Sequence, residues 1–183
     1  MRFRFNERKA AQAAAHLLQL RGGPMHYLKL IKLLYLADRR VLAERGRLIT
    51  GDRLVSMDRG PVLSRVLDLI TEDQPAASPW REYISAPSSF EVALMQADPD
   101  LDELSRYELR ILDAIFEEFG HMNRWNLVGL THELPEWINP DGSSVPIAPE
   151  TILREEGWDP SAIRDAAHDA DDTYLMDLRA GGS

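Results

Sequence analysis

From Tyr27 to Leu42 the chain reads YLKLIKLLYLADRRVL, with Tyr27, Leu30, Ile31, Leu34, Val41 and Leu42 at the three- and four-residue steps that stack side chains on one face of an α-helix. Leu28, Leu33, Tyr35, Leu36 and Ala37 widen the apolar sector beyond the usual stripe, so other elements are expected to cover most of the helix circumference. The charged residues Lys29, Lys32, Arg39 and Arg40 are left with the remaining open sector, or reach out of the core along their aliphatic stems. The pattern predicts a helix at the centre of a small domain.

The segments on either side supply what would surround it. KAAQAAAHLLQL predicts a helix from about Asn6 to Leu20, closed by Gly22 and Gly23 and prevented from continuing by Pro24. The central helix is expected to end near Gly46. Arg47 to Gly60 reads as extended chain, with a turn at Thr50, Gly51 and Asp52 and a short strand over Leu54 to Met57. Asp58 as cap and Pro61 in the first turn predict a further helix with Val62, Val66, Leu69 and Ile70 on its buried face.

Nine of the eleven prolines lie from Pro75 onward, so turns and short elements should follow. Arg81 to Ser85 and Phe90 to Ala97 are β-like around an APSS loop, and are expected to lie on the helical core or to pair with Leu54 to Met57. Ser105 and Glu108 form a capping box for a helix whose core face is Tyr107, Ile111, Ile115, Phe116 and Phe119 and which stops at Gly120. Asn123 opens a shorter helix that packs Trp125, Leu127, Val128 and Leu130 on the core and ends by Pro135. Pro149 opens another through Glu156, and Asp159 with Pro160 starts the last, Ser161 to about Leu178, with fraying expected at Gly181, Gly182 and Ser183. The predicted fold is mainly α with a small antiparallel β element, a central buried helix surrounded by several helices.

At 183 residues, this fits one domain or one domain with an appendage. There is no cysteine, which removes disulfides, thiolate metal sites and cysteine nucleophiles, and fits a reducing cytoplasm. Glu7 and scattered polar residues interrupt the Ala-rich N-terminal run, which reads as a helix and not an export signal, and no apolar run approaches the ~20 residues that cross a bilayer. Net charge is -9, but it is divided: residues 1 to 65 hold 14 Lys and Arg against 5 Asp and Glu, and the remainder 7 against 25. The two parts are expected to fold against each other and partly neutralise, leaving an acidic excess that would attract a basic partner.

No catalytic chemistry stands out. His132 and Glu133 begin like the zinc motif His-Glu-x-x-His, but the fifth position is Glu136 and Pro135 breaks the helix that would align ligands. Walker, nucleophile-elbow and dinucleotide fingerprints are missing, and His16 has no second ligand at helical spacing. No enzyme activity, metal or cofactor is expected. Arg39, Arg40, Arg45, Arg47, Arg53, Arg59 and Arg65 gather within 27 residues, yet without a helix-turn-helix spacing and beside so acidic a remainder they favour an acidic protein segment over a nucleic acid.

LKLIKLLYLADRRVLAERGRLITGD, the extended stretch leading to MDRGPVLSRVLDLI, then SRYELRILDAIFEEFG and NLVGLTHELPEW, together and in this order resemble the Panacea domain, or SocA-like antitoxin domain, over about residues 10 to 157. The resemblance implies a noncatalytic cytoplasmic antitoxin of a bacterial or phage toxin-antitoxin pair, neutralising by direct protein-protein binding a cognate protein toxin encoded next to it. One branch of the family is similar to an adaptor that delivers its toxin to a ClpXP-type protease, which is the alternative role. The candidate toxin contacts are Tyr35, Arg39, Arg40, Arg59, Thr131, His132 and Trp137. Here Glu136 separates Pro135 from Trp137, where the family usually has Pro next to Trp. Residues 1–157 are read as the antitoxin domain, and 158–183 as an acidic C-terminal helix and tail outside the resemblance, an interaction arm.

Overall fold

α2 (Tyr27–Arg45) is the centre of the fold in the computed structural model, which describes residues 1–180. Leu30, Ile31, Leu33, Leu34, Tyr35 and Leu42 have essentially no exposed surface. Full burial of each aliphatic side chain contributes about 1.5–3 kcal/mol, and α2 carries enough of them to organise the whole core. Around it lie α1 (Glu7–Arg21), α3 (Ser64–Thr71), α5 (Arg106–Phe119), α6 (Arg124–His132) and α7 (Pro149–Glu155). α4 (Pro79–Tyr83) packs on α1, and α8 (Pro160–Ala180) on α7.

The helix ends follow their capping chemistry. Asn6 caps α1 by accepting from Lys9 N, and Gly22 and Gly46 close α1 and α2 in the left-handed conformation. At α5 the Ser105–Glu108 box forms in both directions, and Asn123 caps α6 by accepting from Trp125 N and Asn126 N. Asp159 accepts from Ser161 N at the start of α8.

The β element consists of two small antiparallel sheets. β2 (Leu54–Ser56) pairs with β3 (Val62–Leu63) on one side and β5 (Val145–Pro146) on the other; β1 (Met25–His26) pairs with β4 (Glu91–Val92). This corrects several expectations. Pro61 does not open a helix: Gly60, at φ 86°, turns the chain back so that Val62 pairs with Val55, and α3 begins only at Ser64. Asp58 does not cap it either. Asp52 does, from the preceding turn, accepting from Arg65 N at 3.0 Å and Val66 N at 2.9 Å.

Arg81 to Ser85 does not form a strand. Pro79 opens α4, the Glu7 carboxylate accepts from Trp80 N at 3.1 Å, and Trp80 is completely buried; only Ile84 bridges to Leu94. The strand at Glu91 pairs with Met25–His26 and not with Leu54–Met57, because β1 runs straight into α2 and fixes that edge beside the core. Trp125 does not pack inward; it is 53% exposed, while Leu127 takes the core position. Gly181, Gly182 and Ser183 lie outside the described residues.

The divided charge is resolved by ion pairs that join the basic N-terminal part to the acidic remainder. Lys9 meets Glu108 at 2.8 Å, Arg8 meets Glu82 at 2.8 Å, Arg40 meets Glu118 at 2.6 Å and Arg2 meets Asp171 at 3.3 Å. α8 is held along its length by Arg2, by Arg4 donating to Asp177 O at 2.7 Å, and by Ala166 against Gly46. Trp158, just ahead of it, donates its indole N–H to Ala43 O at 2.8 Å. No helix among the described residues is long and apolar enough to cross a membrane.

Candidate functional site

The charged residues of α2 do not all escape the core. Asp38 and Lys32 are both fully buried. Asp38 accepts from Ile49 N, Thr50 N and Thr50 Oγ1 at 2.6, 3.1 and 2.5 Å, tying the chain after Gly46 to the helix. Burial pushes its carboxyl up to about 7 against the pull of those donors. Lys32 points the other way and donates to Pro61 O at 2.7 Å; with no carboxylate beside it, burial draws the ammonium down to about 7.

Lys32 is one of three side chains that clamp the loop between β2 and β3. The turn closes through Gly60 N donating to Met57 O at 2.9 Å. Trp137 donates its indole N–H to Met57 O at 3.1 Å, and His132 Nε2 lies 3.2 Å from Asp58 O. A carbonyl only accepts, so His132 carries its proton on Nε2. Its ring sits 4.1 Å from that of Trp137, and the Asp58 carboxylate accepts from Gly142 N at 3.0 Å. The carbonyls of Met57, Asp58 and Pro61 are thus held from α2, from the end of α6 and from the segment after it. The tip of the loop, Arg59, is exposed.

Gly60 is required at the contact between the loop and its clamp. A Cβ there would lie 2.6 Å from Thr131 Oγ1, 3.0 Å from Lys32 Nζ and 3.3 Å from His132 Cδ2, at a φ of 86°. Thr131 is fully buried, its hydroxyl bonded back to Leu127 O at 2.9 Å, and has little room to yield. Gly60→Ala is expected to cost about 1–2 kcal/mol from backbone handedness alone, with the clash adding to it. Urea unfolding of the variant checks this, and an unchanged midpoint would show that the turn relaxes freely.

Behind the clamp, Glu136 fastens the segment that carries Trp137. Its side chain is fully buried and accepts from Tyr35 OH at 2.8 Å and from Arg39 through two bonds of 2.7 and 3.2 Å. Arg39 also reaches Glu156 at 2.8 Å. Burial, then the Glu136 charge, pushes the Tyr35 phenol well up, so it stays a hydrogen-bond donor.

Residues 30–138, more than half of the chain, match the family described as Antitoxin SocA-like, Panacea domain. The chain belongs to this family. The Panacea match starts inside α2 and ends just past Trp137, so it takes in Lys32, Tyr35, Arg39, Gly60, Thr131, His132, Glu136 and Trp137, and leaves out Gly142 and Glu156. α1, α7 and α8 lie outside it. No curated protein and no solved structure matches the chain.

Six of the seven candidate contacts of this Panacea domain are drawn into one region: Tyr35 and Arg39 around Glu136, Thr131, His132 and Trp137 behind the loop, and Arg59 at its tip. Arg40 is separate, half-buried and paired with Glu118. Tyr35 and Thr131 have no exposed surface, whereas Arg59 is open. Its guanidinium lies 5.8 Å from the Trp125 ring, and that of Arg124 5.2 Å from the same ring. Sequence reasoning passed over Glu136 and Lys32 as partners of the motif. Lys32 shares its sector of the helix with Lys29, Arg39 and Arg40, so periodicity gave no signal of its burial, while Glu136 was marked by a charge inserted between Pro135 and Trp137.

Proposed function

We propose that this protein is the antitoxin of a toxin-antitoxin pair and that it neutralises a cognate protein toxin by binding it directly, without chemistry of its own. The observation that carries this reading, beside family membership, is the clamped loop. A binding tip whose backbone is already fixed loses little conformational entropy on association, which is how a small surface reaches high affinity. Arg59 is the direct contact in this reading, while Tyr35, Arg39, Thr131, His132 and Trp137 form the frame that positions it. The segment from residue 158 is an appended arm: among the described residues of α8 only Ala170 is buried.

Co-expression tests the proposal. The neighbouring reading frame alone is expected to arrest growth in the cytoplasm, and this chain is expected to restore growth while forming a complex that copurifies. A harmless neighbouring frame, or toxicity that this chain does not relieve, would overturn the reading. Blocking and delivery differ in one readout. Direct blocking leaves the toxin's half-life unchanged or longer, while a toxin that disappears only in the presence of a ClpXP-type protease identifies this chain as an adaptor.

A further inference from the structure

Phe90 is displayed at a cost. Ser88 and Glu91 exchange backbone hydrogen bonds of 2.8 and 2.9 Å around a two-residue hairpin turn in which Ser89 and Phe90 have φ values of 50° and 67°. That is a type I′ turn, which favours Asn-Gly because a side chain in the left-handed region costs about 1–2 kcal/mol. The turn is held in place by Tyr27 N donating to Phe90 O at 2.9 Å and by the pairing of His26 with Glu91. Yet the Phe90 side chain is not used to fill the core. It is 65% exposed, with its ring stacked on His26 at 5.9 Å and tilted against Tyr27 at 6.2 Å. A strained backbone and an exposed aromatic at one position both point outward, to a partner.

The Phe90 turn lies within electrostatic reach of the loop tip through His26, the ring on which Phe90 stacks. His26 accepts from Leu28 N at 3.2 Å, and burial together with the charges of Arg124 and Arg59 holds its imidazole below the ordinary range, with Glu91 opposing them. Those two arginines flank Trp125, the other large exposed ring nearby. Neither has a carboxylate partner among the described residues, as is also true of Arg45, Arg47, Arg53 and Arg65, but Arg59 and Arg124 alone share an exposed ring, that of Trp125. In a chain of net charge -9, this leaves a patch of two rings and two unneutralised guanidinium groups, bounded by Glu91. Tryptophan and arginine are the side chains that dominate binding energy at protein interfaces, and aromatic rings are enriched there.

We propose that this surface docks an acidic segment of the cognate toxin that carries an apolar side chain, with Phe90 and Trp125 gripping the apolar group and Arg59 and Arg124 pairing with the carboxylates. The proposal rests on the antitoxin reading above and adds the contact surface and the chemistry of the partner. Charge complementarity selects this occupant: unpaired arginines beside rings favour a carboxylate-bearing chain over a purely apolar helix.

The test titrates the full chain against the purified product of the neighbouring reading frame. Phe90→Gly and Trp125→Ala are each expected to weaken binding by about tenfold or more, as truncation of a central anchor does. Phe90→Gly should also hold or raise the thermal midpoint, because glycine relieves the turn, so lost binding cannot be ascribed to lost fold. Arg59→Glu with Arg124→Glu is expected to abolish binding and to remove most of its dependence on salt. Arg110→Ala, on the exposed face of α5, serves as the control and should bind as the native chain does. If all the patch variants bind and neutralise like the native chain, the surface is wrong and the antitoxin reading stands. If the native chain itself neither binds nor neutralises, both fail. A native dimer that Phe90→Gly converts to monomer, with toxin binding intact, would assign the patch to a second copy of this chain and overturn the proposal.

Discussion

Glu136→Ala is expected to destabilise the protein by about 3–5 kcal/mol, the cost of stranding a buried charge. The variant would leave the Arg39 guanidinium, whose side chain is 14% exposed, with only the more open Glu156, and the Tyr35 hydroxyl without its acceptor. Glu136→Gln should cost less, since its amide oxygen still accepts one of these bonds. Urea unfolding measures both, and a double variant gives the sharper reading. Arg39→Met with Glu136→Leu removes the charges together and is expected to recover most of the loss, because two apolar side chains need no compensation. If the double variant is as unstable as Glu136→Ala, the defect lies in packing and not in an unpaired ion. Because Trp137 follows Glu136 directly, the single variant should also speed hydrogen exchange at Gly60, whose N–H closes the clamped turn.

Lys32→Met is expected to stabilise the protein at neutral pH by up to about 4 kcal/mol, with a gain that shrinks as the solution becomes alkaline. The sign follows from proton counting. Burial lowers the Lys32 ammonium from 10.5 to about 7, so through that window the unfolded chain binds more protons than the folded one and native stability rises with pH. Methionine fills much the same volume and removes this slope. Only above the unfolded value of 10.5 should the variant fall about 1 kcal/mol below the native chain, having lost the hydrogen bond to Pro61 O. Asp38 acts in the opposite sense at lower pH: its carboxyl, raised from 3.8 to about 7, makes the folded chain the stronger proton binder there, so stability falls as pH rises toward neutrality. Unfolding curves across the alkaline range decide the matter, and equal pH slopes for the native chain and Lys32→Met would show that Lys32 is not held as described.

A buried lysine that costs stability invites a reason for its presence. Its ammonium reaches a third carbonyl of the loop, beyond the two that His132 and Trp137 hold, so it locks the loop directly to the central helix. Stability given up at Lys32 is gained back as definition of the segment that presents Arg59. The exchange is a familiar one at binding sites, where local strain or burial is tolerated because the site must keep a single shape.

Much of this fold could be read along the chain because the forces concerned are local. The periodicity of Tyr27 to Leu42, the Ser105–Glu108 box, the Asn6 and Asn123 caps and the glycines that end α1 and α2 act within one or two helical turns, so their spacing alone predicts the helices they bound. The family and its mainly helical character were legible for the same reason: the motif segments are themselves local patterns, and residues 30–138 carry them in order.

What only the tertiary structure decided are the places where a polar group is satisfied from far along the chain. Asp52 capping α3, Glu7 capping α4 and Glu136 holding Tyr35 and Arg39 leave no periodic trace, because the partners lie 13 to 101 residues apart in sequence. The strands behaved likewise. Segments of two or three residues have no preferred pairing of their own, and the turn at Gly60 and the junction of β1 with α2 selected their partners. The same holds for the proposed binding surface: Arg59 was visible as one arginine among seven, but its distinction arises only when folding sets it, with Arg124, beside the exposed Trp125 ring near the strained turn at Phe90.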